Sequence, residues 1–301
     1  MAPTAVTRVA FKNILFATDF SEASQHALRH ALAMAKRYDS RLTVAHVAPP
    51  DTQVPIPMEP VPLEADWQIR HARERMLLLQ DFEPLRMFPH DTVLKQGSPW
   101  PELAEIIEDK GIDLIVLGTH GRGVVGTLLL GSVAEQVLRH ATCPVLTVGP
   151  DVLRTLVDHQ KLTHVLFATD FSEGSLHAVP FALSLAEENN AELTLMHVLE
   201  QLEPMPVQYS KELLADYRKR LWEMLPDDAS LWCKPRVSVG VGVAAGEIVR
   251  LAHDRQVDLI VMGAHSGGTV ASHLPWTVVH SVVRHARCPV LTVRGMRAAV
   301  E

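Results

Sequence analysis

Short β-branched runs alternate along the chain with longer stretches whose apolar residues recur every three or four positions. This alternation predicts βαβ units around a parallel sheet. In the first half, residues 13–18, 41–47, 92–96, 113–118 and 145–148 read as strands, and residues 22–38, 64–82, 100–110 and 132–140 read as helices. The runs at 113–117 and 145–148 are almost continuously apolar, as strands covered by helices on both faces must be.

The whole pattern occurs twice. Phe16-Ala17-Thr18-Asp19-Phe20-Ser21-Glu22 returns letter for letter as Phe167 to Glu173, and His46-Val47 returns as His197-Val198, all at an offset of 151. Further on, Asp113-Leu114-Ile115-Val116 matches Asp258 to Val261, and Cys143-Pro144-Val145-Leu146-Thr147-Val148 matches Cys288 to Val293, now at an offset of 145. The missing residues fall after Val47, where the first copy carries the proline-rich stretch 49–62. Each copy therefore predicts a doubly wound, five-stranded parallel α/β domain, over residues 1–150 and 151–301, with residues 149–161 as the linker. Domains of this kind bind ligands beyond the carboxyl ends of their strands, where the strand order reverses.

A length of 301 residues suits two such domains, and 47% hydrophobic residues supply a core for each. Charged residues at 21% exclude an intrinsically disordered chain. With 28 basic against 35 acidic residues the net charge is −7, which argues against coating a nucleic-acid backbone. Three cysteines at unmatched spacings fit neither a disulfide framework nor a zinc knuckle and point to a reducing compartment. No uncharged apolar run is long enough to span a bilayer, so a cytoplasmic protein without membrane attachment is expected.

The densest chemical signal runs from a strand end to a helix start: Gly118-Thr119-His120-Gly121-Arg122-Gly123, then Gly131-Ser132-Val133. Glycines at 118 and 121 let backbone turn and approach a ligand. At 131–133 the amides of a helix N-terminus offer a phosphate site, and the Ser132 hydroxyl adds a donor. The plain alternative is that these glycines punctuate a loop and a cap. Asp19, acceptor-only when ionised, suits an amino group or a sugar hydroxyl, or else caps the helix after Ser21. Val47 offers an apolar wall.

Gly118-x2-Gly121-x9-Gly131-Ser132 resembles the ATP-binding signature of the universal stress protein family, and Ala17-Thr18-Asp19-Phe20-Ser21 resembles that family's opening motif. The resemblance covers both copies. It implies a Rossmann-like fold of the adenine nucleotide alpha hydrolase type, in which Ala17, Asp19 and Val47 surround the adenine and ribose. It also implies that Gly118, Gly121, Gly131, Ser132 and Val133 hold ribose and phosphates, with a divalent cation such as Mg2+ on the phosphates. Stress response through nucleotide-dependent protein contacts follows, as does antiparallel pairing of 145–148 with 290–293 into a pseudo-dimer, with homodimerisation beyond it.

The second copy departs from this signature. Gly118 survives as Gly263, but Gly121 becomes Ser266, Gly131 becomes Trp276 and Ser132 becomes Thr277, with Pro275 just before. An indole at the helix start would occupy phosphate space, so only the first copy is expected to hold ATP. Other patterns are weaker. Gly121-x-Gly123-x-x-Gly126 spells a dinucleotide fingerprint in the wrong βαβ unit. Ala264-His265-Ser266-Gly267-Gly268 resembles a nucleophile elbow without triad partners. His26 and His30 stand one turn apart with no third ligand, so surface or hydrogen-bonded histidines are the better reading. No P-loop exists, and no lysine lies in the glycine loop. A binding protein rather than an enzyme is therefore expected; the alternatives are a scaffold that holds no nucleotide and a slow ATPase.

Overall fold

The computed structural model describes residues 8–50, 67–119, 130–152, 161–200, 207–264 and 273–294. The first copy comprises β1 (Asn13–Ala17), α1 (Glu22–Tyr38), β2 (Arg41–Ala48), α2 (Trp67–Gln80), α3 (Glu83–Arg86), β3 (His90–Gln96), α4 (Pro99–Asp109), β4 (Leu114–Gly118), α5 (Ser132–His140) and β5 (Val145–Val148). The second comprises β6 (His164–Ala168), α6 (Glu173–Leu176), α7 (Val179–Asn189), β7 (Glu192–Leu199), α8 (Val207–Trp222), α9 (Ala229–Trp232), β8 (Lys234–Val241), α10 (Ala244–Asp254), β9 (Leu259–Ala264), α11 (His273–His285) and β10 (Val290–Arg294).

All ten strands join one sheet, in the order β3-β2-β1-β4-β5-β10-β9-β6-β7-β8. Each copy supplies five parallel strands. The two sets meet antiparallel through Leu291 opposite Leu146, with Val290 opposite Thr147 and Thr292 opposite Val145. β5 is buried along its length, so the seam is core and not edge. In each copy the order reverses between the first strand and the fourth, β1 beside β4 and β6 beside β9, which fixes where a ligand site belongs.

Strand residues alternate between two apolar layers. Phe16, Val44, Val116, Phe167 and Val261 join one layer with the buried residues of α1, α2 and α7, continuous across both copies. Leu15, Ile115, Leu166 and Ile260 join the other with α4, α5, α10 and α11. On the first face the copies touch directly: Phe11 stacks on Phe181 at 6.2 Å, and the Val9 amide donates to Ser184 Oγ at 2.8 Å. At the strand starts, Asp113 accepts from the amides of Lys12 and Asn13, and Asp258 accepts from those of Thr163 and His164. The repeated aspartate thus holds the end of the sheet opposite the expected site.

Three elements depart from the sequence pattern. The helix after Ser172 breaks into α6 and α7, because Pro180 stands where α1 has Arg29 and has no N–H for an i−4 bond. The helix expected over 64–82 ends at Gln80, since Pro84 cannot donate to the Gln80 carbonyl, and α3 starts afresh. β3 begins two residues early, at His90, by pairing with Leu42. Residues 51–62 of the proline-rich stretch and 153–160 of the linker lie outside the described residues.

Candidate functional site

At the reversal point of the first copy the chain leaves β1 through a tight turn. Phe20 takes φ 61, the left-handed region that a bulky side chain rarely adopts. The turn is over-determined by hydrogen bonds: the Phe20 amide donates to Thr18 Oγ1 at 2.9 Å, and Thr18 Oγ1 pairs with Ser24 Oγ at 3.0 Å. Asp19 Oδ1 accepts from the Ser21 amide at 3.0 Å and from the Ser21 hydroxyl at 2.6 Å. Ser21 in turn caps α1 by accepting from the Ser24 amide at 3.2 Å. The cap is therefore Ser21, not Asp19, and Asp19 braces it. His46 Nδ1 lies 2.7 Å from the Thr18 carbonyl, and Arg75 donates to the Phe20 carbonyl at 2.8 Å.

β2 outruns β1. Their pairing stops at Ala17 opposite Ala45, whereas β2 stays paired with β3 as far as Ala48. The Thr18 amide bonds the Ala45 carbonyl at 2.9 Å, so the peptide groups of Ala45 face β1. Two residues on, those of Val47 face the same way, past the end of β1 and into the site. A backbone donor and acceptor are presented there together.

Beyond β4 the decisive bond is the Gly131 amide to the Thr119 carbonyl at 2.8 Å. It ties the start of α5 to the strand end beside β1. Gly131 is the N-cap of α5, and its amide is committed to this tether. The amides of Ser132 and Val133 then remain as the first helical positions without intrahelical acceptors. Gly118 has a packing reason beside ligand approach. A Cβ there would lie 3.0 Å from the Ala23 carbonyl carbon and 3.1 Å from the Ser24 amide, so α1 needs the space.

The second copy repeats the turn: Phe171 has φ 61, Thr169 Oγ1 pairs with Ser175 Oγ at 2.8 Å, and His197 Nδ1 lies 2.8 Å from the Thr169 carbonyl. The Thr169 amide likewise bonds the Met196 carbonyl at 2.9 Å. The helix start differs. α11 begins at His273, so Thr277, the counterpart of Ser132, falls inside the helical ladder four residues on. A cavity of about 90 Å³ opens between the ends of β6 and β9.

The universal stress protein family model matches residues 10–149 and again 161–294. The chain belongs to the universal stress protein family. A universal stress protein of Mycobacterium tuberculosis is 28% identical over 296 residues, covering 93% of this chain and 96% of the relative. One from Methanocaldococcus jannaschii is 33% identical over 144 residues, 46% of this chain and 82% of the relative. The crystal structure of a universal stress protein from Archaeoglobus fulgidus superposes with a TM-score of 0.71 at 21% identity, over 97% of this chain and 99% of that one.

In this universal stress protein, Ala17, Asp19, Val47, Gly118, Gly131, Ser132 and Val133 all fall at the C-terminal ends of β1, β2 and β4 or at the start of α5. Gly121, Arg122, His120 and Ser266 lie outside the described residues, as does the side chain of Trp276. Thr18, Ser24, Phe20, His46 and Arg75 shape the turn without standing in the signature. Their sequence signal was the repetition itself, since Thr18, Phe20, Ser24 and His46 recur as Thr169, Phe171, Ser175 and His197.

His30 is neither a surface histidine nor a hydrogen-bonded one. It is fully buried with both ring nitrogens unpartnered, and burial, with His26 nearby, lowers its pKa to about 4. Among the described residues no group of three His, Cys, Asp or Glu is placed to hold a metal. Burial pushes the thiols of Cys143 and Cys288 up to about 12, so both pack as small apolar groups. Among the described residues no helix is long and apolar enough to cross a membrane.

Proposed function

We propose that the first copy binds ATP and that the bound nucleotide governs contacts with other proteins in stress response. The observation that carries this reading is the tether from the Gly131 amide to the Thr119 carbonyl, which sets a helix N-terminus beside the reversal point. The residues present fit the ligand. The Val47 N–H and C=O match the donor-acceptor edge of adenine, and Ala17 and the Val47 side chain give an apolar wall. The amides of Ser132 and Val133, with the positive end of α5 behind them, suit phosphate oxygens. Asp19, braced through Oδ1, stands where a sugar hydroxyl would be accepted. A divalent cation would ride on the phosphates. It would neutralise their charge, and the first turn of α5 would orient them.

The site positions and neutralises, and it lacks a lysine or a P-loop to stabilise a transferring phosphoryl group. ATP is accordingly read as a signalling ligand, not a substrate turned over fast. β5 and β10 take each other within the chain, so homodimerisation would use another surface. A sedimentation mass of one chain across a wide concentration range would count against it.

The test is to purify the protein without added nucleotide, denature it, and count the released small molecules by chromatography and mass spectrometry. About one adenine nucleotide per chain is expected, and Gly131→Trp, which copies the second copy, should weaken ATP binding about 100-fold, or ~2.7 kcal/mol. Two nucleotides per chain would overturn the one-site reading. None, even after ATP is added back, would leave a scaffold that holds no nucleotide.

A further inference from the structure

We infer that the groove between α1 and α2 is a self-association surface, and that its occupant is the same groove of a second molecule of this protein. The homodimer of the proposed function thereby gains a surface, and to that extent the inference rests on that reading; the nucleotide site is independent of it. α2 packs on β2 and β3, so it stands on the side of α1 away from the seam with the second copy.

α2 buries a single stripe. Ala72 and Met76 are core, and Ile69 and Leu79 pack against it at helical spacing. That stripe leaves Leu77 58% and Leu78 68% exposed, with the exposed Phe82 just beyond. A groove of about 780 Å³ runs between α2 and α1, and Phe20, Leu28, Leu78, Leu79 and Phe82 form its apolar surface. Exposed apolar surface rimmed by polar groups marks a protein contact.

The rims identify the occupant. Both helices run from the carboxyl ends of their strands toward the amino ends. On α1, Glu22 stands at the head of the groove and Arg29 two turns below it, with Gln25 and His26 between them. On α2, Arg75 stands level with the start of α1, since it donates to the Phe20 carbonyl at 2.8 Å, and Asp81 lies between one and two turns below. Each wall thus carries an acid and a base, in opposite order. A two-fold rotation, whether it sets like walls together or unlike ones, brings every acid of one molecule onto a base of the other. A uniformly acidic or basic partner would lose at one corner what it gains at the next. Among the described residues, Glu22, Arg29 and Asp81 form no ion pair within the chain, so their charges are open to an outside one.

The second copy lacks the pattern. Arg29 is replaced by Pro180, Leu78 by Glu223 and Asp81 by Pro226, and Arg220, the counterpart of Arg75, folds onto the Phe171 ring at 4.1 Å. The association is therefore first copy to first copy.

Sedimentation of the full chain over a wide concentration range is expected to give two chains per particle. Leu78→Glu, which copies the second copy, is expected to raise the dimer dissociation constant about 100-fold. Charge exchange tests the pairing without relying on a loss. Glu22→Lys with Asp81→Lys makes the corners of the groove wholly basic, and Arg29→Glu makes them mainly acidic. Each variant alone is expected to associate more weakly than the unaltered chain, and an equimolar mixture to form mixed dimers, because most corners then join opposite signs. A single-chain mass at every concentration would overturn the inference, whether the groove stays empty or takes another protein. So would a two-chain mass that Leu78→Glu and the charge variants leave unchanged, which would put the homodimer on another surface. The nucleotide count on the same samples reads the ATP site separately, so a failed dimer and an empty site are told apart.

Discussion

The two copies share one half of the site and differ in the other. Their first βα turns agree in detail: a phenylalanine at φ 61, a threonine-serine hydroxyl pair and an aspartate bracing a serine cap. Their last helices do not, since α5 starts at the counterpart of Thr277 and α11 starts four residues before it. The base side and the phosphate side of the proposed site would thus be built by separate segments, one local to β1 and α1, the other set by where the final helix begins. A change in the second leaves the first intact. The copies serve as controls for each other.

The first copy keeps α1 whole through Arg29, where the second breaks between α6 and α7 at Pro180. Arg29→Pro should remove an i−4 hydrogen bond from the middle of a 17-residue helix and cost about 3 kcal/mol or more. Pro180→Arg should change stability by no more than about 0.5 kcal/mol, because the second copy already accommodates the break. Thermal unfolding of both variants measures this. Similar losses in the two would mean that α1 does not depend on the hydrogen bond donated at Arg29.

His30 sharpens the same helix comparison, for the second copy has Phe181 at its position. With a folded pKa of about 4 against 6.5 unfolded, the unfolded chain binds the extra proton between those values. Stability from this residue is therefore full above pH 6.5, falls as the pH drops through that window, and levels off below about 4, a loss of about 3 kcal/mol. His164 and His197 are also lowered by burial and add to the slope. His30→Phe should flatten the pH dependence of denaturant stability by that amount and stabilise the protein at pH 5. An unchanged slope would show that His30 finds a partner on protonation.

Much of this was legible in the residues. The repeat, the buried strands and the helix starts at Ser132 and after Ser21 follow from periodicity and from self-similarity at two offsets, whereas the antiparallel seam of 145–148 with 290–293 was implied by the family resemblance. Gly118 illustrates the limit. Its position in a glycine-rich segment suggested ligand approach, and the structure adds a second demand on the same position, from α1, which is distant in sequence. Gly131 is the second case: a free amide was expected, yet the loop closes by spending it on Thr119. Neither partner is encoded locally, so no local pattern reveals it. Gly118→Ala and Gly263→Ala put this to the test. In the second copy a Cβ would run into the backbone of Gly174 and Ser175 more severely than the 3.0 Å approach in the first. Within the range for overpacking, about 1–3 kcal/mol, Gly263→Ala belongs at the upper end and Gly118→Ala at the lower. The reverse order, measured by denaturant midpoint, would return the glycine at 118 to the ligand.

The smallest expected effect concerns how the copies recognise each other. Arg37 and Tyr38 end α1, and the residues at the same positions of α7 are Glu188 and Asn189. These positions meet across the pseudo-dimer: Arg37 donates to Asn189 Oδ1 at 2.7 Å, and the Tyr38 hydroxyl donates to Glu188 Oε2 at 2.8 Å. A first copy facing another first copy would set Arg37 against Arg37, so the pairing favours unlike copies by charge as well as by the chain that joins them. Burial and the adjacent carboxylate push the Tyr38 hydroxyl well above the ordinary tyrosine range, which keeps it a donor at neutral and mildly alkaline pH. Tyr38→Phe should cost about 1 kcal/mol, the net value of such a bond, and Glu188→Gln should cost less after Tyr38→Phe than before it. Strict additivity in that cycle would mean that the contact orders two side chains without coupling the copies.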